Sequence, residues 1–327
     1  MVPKKLKTSI EKSLNVLTYR FIRIKIKMTK QAPALAQAKQ DLIEKNIPFI
    51  EIGKHGYVAL IGHYGSDDHI CDVTRITSSS KGKDNESLIR YLMRNRHTSP
   101  FEFSLLEFEV ALPIPVERQW IRHRTSSTQE VSARYSQLPG EVFDLPLDRI
   151  VKAPTGNNNR QGSGESFSDA DKPRFLKLYN SITEKAVQVY NEFCSAGLAP
   201  EIARMALPLA TYTRKRWKCD LHNLLHFLGL RMDPHAQKEI RDYADAVAFY
   251  TKQLFPITYK AFEDYRLNAI TFSDNELNIL MDRLASETNN IILDLEDYPQ
   301  NFDEYNLGKT ELIEFKKKLE RVVNGRK

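Results

Sequence analysis

The chain has 327 residues, 41% hydrophobic and 28% charged, with a net charge of +6. These are the proportions of a globular protein long enough for one large domain or two small ones, and no apolar run approaches the length of a bilayer span. The charge is concentrated in residues 1–30, where nine Lys/Arg face Glu11 alone, leaving the remainder at about −2. The body is therefore not a basic nucleic-acid binder.

The basic segment has three readings, a disordered arm, an extension ahead of a second possible start at Met28 or an organelle-targeting peptide; its Lys-rich, Arg-poor composition weakens the last, and a dispensable extension is favoured. Cys71, Cys194 and Cys219 are far apart and form no CxxC. That sparse, odd count predicts a reducing, cytoplasmic setting without a disulfide framework or structural zinc.

In chain order, residues 33–45 predict a short helix and 57–62 a strand. Ser66 caps a helix to about Ile76 with Asp67 and Asp68 in its first turn. A polar loop at 78–85 leads to a helix over 86–95. His97 then stands in a loop, and Pro100 restricts Ser99 to extended geometry. Residues 101–111 alternate, with Leu106, Phe108 and Val110 on one face and Glu107 and Glu109 on the other: a half-buried strand. Pro113 and Pro115 end it, and Pro115 opens a helix carrying Val116, Trp120 and Ile121.

Residues 119–136 (QWIRHRTSSTQEVSARYS) run off that helix. Ser127 and Glu130 have capping-box spacing and predict a second helix or turn. Residues 152–169 form the most loop-like stretch. Helices follow over 173–196, stopped by Gly197, and from Pro200 to Pro208. Asp220 caps 221–228, a leucine stripe ended by Gly229, and Asp233-Pro234 restarts a helix to about Phe255. Ser273 and Glu276 make another capping box, and 309–323 a charged helix. The sum is an α+β protein, with a mixed, largely antiparallel sheet packed against several long helices.

Arg122, His123 and Arg124, with Arg134 further on, repel one another unless an anion lies between them. Arginine suits phosphate because its donors form a fixed fork; the alternative is a solvated basic turn paired with Glu130. Two residues apart on a helix, Arg122 and Arg124 would face different sides. Arg231 and His235 flank the expected helix start at Asp233, which favours anions; a structural ion pair is the alternative for Arg231. His222 and His226 have the spacing of a zinc helix, with His235 as a third ligand, but Asn223 stands where the catalytic Glu of HExxH belongs. A metal-dependent nucleotide hydrolase is thus a rival reading, and a nucleic-acid binder using the basic tail a further one.

Arg122-His123-Arg124, seven residues and Ser132 resemble the RHR-x7-S signature of the flavin-dependent thymidylate synthases. The segment His97–Glu102 and residues 201–214 and 230–240 are similar to further segments of that family, so the resemblance spans about residues 57–257. It implies the family fold over 31–270, between the 1–30 extension and a helical C-terminal extension at 271–327. The implied activity is reductive methylation of dUMP to dTMP, with methylenetetrahydrofolate as carbon donor and FAD, reduced by NADPH, as hydride source. It implies a homotetramer whose sites are shared between subunits, with neither nucleic acid nor membrane as partner.

Carried over, dUMP falls to Gln119, Trp120, Ile121, Arg122, Glu130, Val131, Ser132, Ala133, Arg134, Arg204 and Arg231, with Arg134 and Arg204 on the phosphate. Arg231 is the catalytic group, at the uracil ring. FAD falls to His97, Ser99, Arg122, His123, Arg124, Glu130, Asp220, Leu221, His222 and His226, and no metal is implied. Gln129, Asp220 and His226 stand where other members often have Asn.

Overall fold

The computed structural model describes residues 34–77, 84–138, 140–154 and 164–273, with 275, 277 and 314. The chain divides into Met1–Pro33 and Ala34–Lys327, and the secondary structure described belongs to the second unit. The basic extension, the capping box at 273–276 and the helix at 309–323 fall wholly or largely outside the described residues, as do 78–83 and 155–163.

The frame is a five-stranded antiparallel sheet in the order β1 (Phe49–Ile52), β2 (Gly56–Tyr64), β3 (Leu105–Pro113), β5 (Tyr212–Asp220), β4 (Ser127–Glu130). Alternation along β2 sorts its side chains between two cores. Tyr57 and Ala59 face α1 (Ala34–Glu44) through Leu35, Ala38 and Leu42. Val58 faces the main core with Phe108, Val110, Trp120 and Trp217. Gly56 is obligatory at the head of β2, since a Cβ there would collide with the Tyr243 hydroxyl, which donates to Ala111 O at 2.8 Å.

Helices α2 (Asp67–Thr77) and α3 (Asn85–Arg94) match the expected segments, and Ser66 Oγ accepts from His69 N at 3.1 Å. Ser99 is not extended. It opens a helical turn, α4 (Ser99–Glu102), with Pro100 in its first positions, where a missing N–H costs nothing. The strand accordingly begins at Leu105, not at Phe101, and runs through Pro113. Helix α5 (Ile114–Trp120) then starts with Pro115 in its first turn.

Residues 127–130 are the edge strand β4 rather than a helix start. Glu130 Oε1 accepts from Thr213 Oγ1 at 2.6 Å across the sheet instead of capping its own turn. The loop at 152–169 carries a bridge, Val151 with Ser166. Helix α6 (Lys172–Ser195) is followed by Gly197 at φ 80°, and α7 (Pro200–Ala203) passes into a 3-10 turn, Arg204–Ala206.

Asp220 caps α8 (Leu221–Arg231), accepting from Asn223 N at 2.9 Å. The helix does not stop at Gly229, which sits inside it with Phe262 against its open face, 3.9 Å from where a Cβ would lie. Nor does Asp233-Pro234 start a helix: the Asp233 carboxylate accepts from His235 N at 2.7 Å in a side-chain-closed turn, and α9 begins at Lys238 and ends at Leu254. Helix α10 (Pro256–Phe262) and a π turn, Glu263–Leu267, complete the layer over the main core. Among the described residues no helix is long and apolar enough to cross a membrane.

Candidate active site

The sheet delivers α5 and α8 side by side, so the end of α5 and the last turns of α8 meet at one surface. There a cavity of about 330 Å³ is lined by Arg122, His123, Arg124, Thr125, Cys219, Asn223, His226, Leu230 and Arg231. Because α5 stops at Trp120, Arg122 and Arg124 escape helical periodicity and both reach this cavity, contrary to the opposed placement expected of a helix.

Arg231 closes the last turn of α8, where the helix dipole favours a cation, rather than flanking a helix start. Its Nε donates to His123 Nε2 at 2.9 Å and its terminal nitrogen donates to Gln119 O at 3.0 Å. The guanidinium is thereby held in one orientation on the cavity wall, half-buried.

Burial, then the charge of Arg231, pushes the His123 imidazole down to about 4. It stays neutral at pH 7 and its Nε2 remains free to accept. The unfolded imidazole titrates near 6.5, so between pH 6.5 and 4 the unfolded chain binds the extra proton. Stability from this group is complete above 6.5 and declines as pH falls toward 4. A His123→Gln variant should flatten that slope, measured as melting temperature against pH; an unchanged slope would contradict the neutral assignment.

A second cavity of about 460 Å³ adjoins the first through His226 and Leu230. Its floor is apolar, with Leu92, Met93, Phe101, Leu225 and Phe262, and its polar lining includes His97, His222, Arg96 and Arg266. The sequence pattern did not point to Arg96, Asn223 or Arg266. Arg96 stands beside His97, but nothing local marks Arg266.

The other substrate candidates form a separate group. Arg134 Nε donates to Glu201 Oε2 at 3.3 Å, and Arg204 Nε donates to the Glu201 carbonyl at the same distance. Ser132 Oγ accepts from Arg134 N at 3.3 Å, and Val131 N donates to Arg214 O. Within one chain this group and the Arg231 cavity share no described pocket. The side chains of Trp120 and Leu221 are fully buried in the core, Ala133 is buried, and Ile121 is exposed. Asp220 spends its carboxylate capping α8, and Ser99 lies at the start of α4 outside both cavities. Among the described residues no three His, Cys, Asp or Glu side chains gather as a metal site, and His235 instead contacts Asp233 at 2.9 Å. The hydrolase reading based on His222, His226 and His235 is not supported.

Two adjoining cavities, one walled by guanidinium and imidazole groups and the other lined by apolar side chains, give this α+β protein a cleft chemically suited to anionic ligands. Residues 59–257 match the family described as thymidylate synthase complementing protein. The flavin-dependent thymidylate synthase of Gluconobacter oxydans is 40% identical over 277 residues, 81% of this chain and 90% of that one. That of Wolbachia pipientis is 43% identical over 71% of this chain and 82% of its own. A solved UMP/dUMP methylase, PolB from Streptomyces cacaoi bound with 5-Br UMP, superposes with a TM-score of 0.61 at 32% identity, covering 67% of this chain and 98% of that one. The chain belongs to the flavin-dependent thymidylate synthase family.

Proposed function

We propose that the chain methylates dUMP reductively to dTMP. Methylenetetrahydrofolate gives the one-carbon unit, and NADPH reduces the FAD. The observation that carries the site assignment is the Arg231 guanidinium, fixed by His123 and Gln119 on a wall shared with Arg122 and Arg124. The lining fits the cofactor: cationic groups suit its diphosphate, and the apolar floor beside His97 and His222 suits a flat ring. Arg122, His123, Arg124, His97, His222 and His226 would hold it, and when bound and reduced it supplies the hydride.

Arg231 stabilises the negative charge that develops on the pyrimidine as C5 becomes nucleophilic. C5 would then bond to the methylene carbon and lose its proton, that carbon's bonds to the folate nitrogens would break to release tetrahydrofolate, and the hydride supplied by the reduced cofactor would complete the methyl group, with no covalent bond to the enzyme. Buried, inert Cys71 and Cys219 accord with that: burial pushes the Cys71 thiol up to about 11, and the Cys219 thiol higher still.

Arg134, Arg204 and Ser132 take the dUMP phosphate, and a second copy of the chain brings them to the Arg231 cavity in a homotetramer. This is supported by the apolar side chains exposed around them, Tyr135, Ile202, Met205 and Leu209, and by Phe175, Leu178 and Ile182 along α6. Arg134→Ala should raise the KM for dUMP about tenfold or more, as for a lost charged hydrogen bond, while kcat changes little; an unchanged dUMP dependence would remove Arg134 from the phosphate.

The reaction itself is tested by anaerobic release of tritium from dUMP labelled at C5, with and without methylenetetrahydrofolate and NADPH. Release that depends on both is expected of the yellow protein. Flavin-loaded protein that releases none would refute the proposal.

A further inference from the structure

Helix α3 and the π turn Glu263–Leu267 are stapled together by an ion pair and by arginine contacts to Tyr265. Arg90 pairs with Asp264 at 2.6 Å and lies over the Tyr265 ring, 4.8 Å from its centre. Arg94 pairs with Glu314 at 2.6 Å and touches the Tyr265 hydroxyl. The two arginines that these staples bring to the second cavity are treated differently. Arg96 and Arg266 both line it, yet among the described residues neither guanidinium has an ion pair or hydrogen bond. Burial, and then the charge of Arg96, holds the Arg266 guanidinium below its ordinary pKa, so the two cations feel each other.

Arg96 is moreover one of two non-glycine residues with positive φ among the described residues, at 58°. That conformation is uncommon for a long side chain. It follows the end of α3 and sets Arg96 immediately beside His97. Both guanidiniums are solvent-exposed at the edge of the apolar lining, so water screens their repulsion, and a multiply charged anion between them would accept charge-assisted hydrogen bonds from both. Arg266 also lies beyond residue 257, where the family match ends.

We propose that Arg96 and Arg266 form a clamp for the anionic tail of a cosubstrate whose ring lies against the flavin ring that the cavity beside His97 would hold. The inference rests on the thymidylate-forming function proposed for the chain. Two cosubstrates carry such a tail: the folate, through its glutamyl carboxylates, and NADPH, through its 2′-phosphate. The clamp acts on binding alone, because neither arginine contacts the Arg231 cavity.

The test uses the full-length, flavin-loaded protein and the Arg96→Gln, Arg266→Gln and double variants. Steady-state KM values are measured for methylenetetrahydrofolate bearing one or several glutamates, for NADPH and NADH, and for dUMP. The double variant should raise the KM of one cosubstrate about tenfold or more, as expected when charge-assisted contacts are lost, with the dUMP KM and the bound-flavin absorbance held at wild-type values. A rise confined to the polyglutamylated folate assigns the clamp to the folate tail. A rise for NADPH and not NADH assigns it to the dinucleotide phosphate. Wild-type KM values for both in an active enzyme would overturn the clamp alone. So would loss of flavin, which would give the pair to the cofactor. A wild-type protein that releases no tritium from labelled dUMP would overturn the function on which the clamp depends, and the clamp with it.

Discussion

Replacing Arg231 by alanine is expected to lower kcat about 10²- to 10³-fold, the usual consequence of deleting a preorganised donor aimed at developing charge, while the flavin absorbance of the purified protein stays near wild type. The split follows from where the side chain sits. Its Nε and one terminal nitrogen are engaged by His123 and Gln119 at 2.9 and 3.0 Å, and these contacts fix the plane in which the remaining donors present themselves. Of the flavin candidates only His123 is bonded to Arg231, while Arg122, Arg124, His97, His222 and His226 have no hydrogen bond to it among the described residues and remain in place. Arg231→Lys should rescue little, because an ammonium cannot hold both partners and still present donors in that plane. Removing the guanidinium also leaves His123 Nε2 and Gln119 O without their donor, so the melting temperature should drop modestly, by the equivalent of about 1–3 kcal/mol. The activity loss must exceed that drop at a temperature where the variant is folded. Turnover at wild-type level would take Arg231 out of the chemistry.

The contrast between α8 and β5 shows where the sequence was legible. In α8 the inward residues Leu221, Leu224, Leu225 and Leu228 are all apolar, so the helical stripe and the Asp220 cap are written locally. In β5 the inward face carries Thr213 and Lys215 beside Trp217 and Cys219, while Arg214, Arg216 and Lys218 share the other face with the buried Tyr212. Both faces carry cations, so alternation is invisible and the strand adjoining both β3 and β4 is missed. Its charges are answered by Glu107 and Glu109, about a hundred residues away: Arg216 donates to both at 3.0 and 2.9 Å. The same separation hides half of the site. The cluster at 122–124 is conspicuous, but that both arginines share a cavity depends on α5 stopping at Trp120. That Arg266 stands near Arg96 depends on staples to α3 that no local pattern encodes.

The largest stability effect is expected beneath Trp120. Lys215 and Glu117 form an ion pair with the ammonium wholly buried and the carboxylate nearly so. The ammonium lies 4.4 Å from the centre of the Trp120 ring. Burial pushes the lysine pKa down and the glutamate pKa up, each toward neutrality, and their mutual attraction opposes both shifts. Lys215→Met would leave the Glu117 carboxylate without its cation in the core, and Glu117→Leu would strand the ammonium. Either should cost about 3–5 kcal/mol, the usual penalty for breaking a buried pair. The double variant replaces both charges by apolar groups of similar volume and should recover to within about 1 kcal/mol of wild type or exceed it. Urea unfolding of the four proteins measures this cycle, and equal, additive losses would show that the pair does not act as a unit. Because α5 leads directly into Arg122 and presents Gln119 O to Arg231, the single variants should also loosen the Arg231 contact. Their kcat should then fall under conditions where they remain folded, and the double variant should restore it only as far as the apolar packing returns Trp120 to its place.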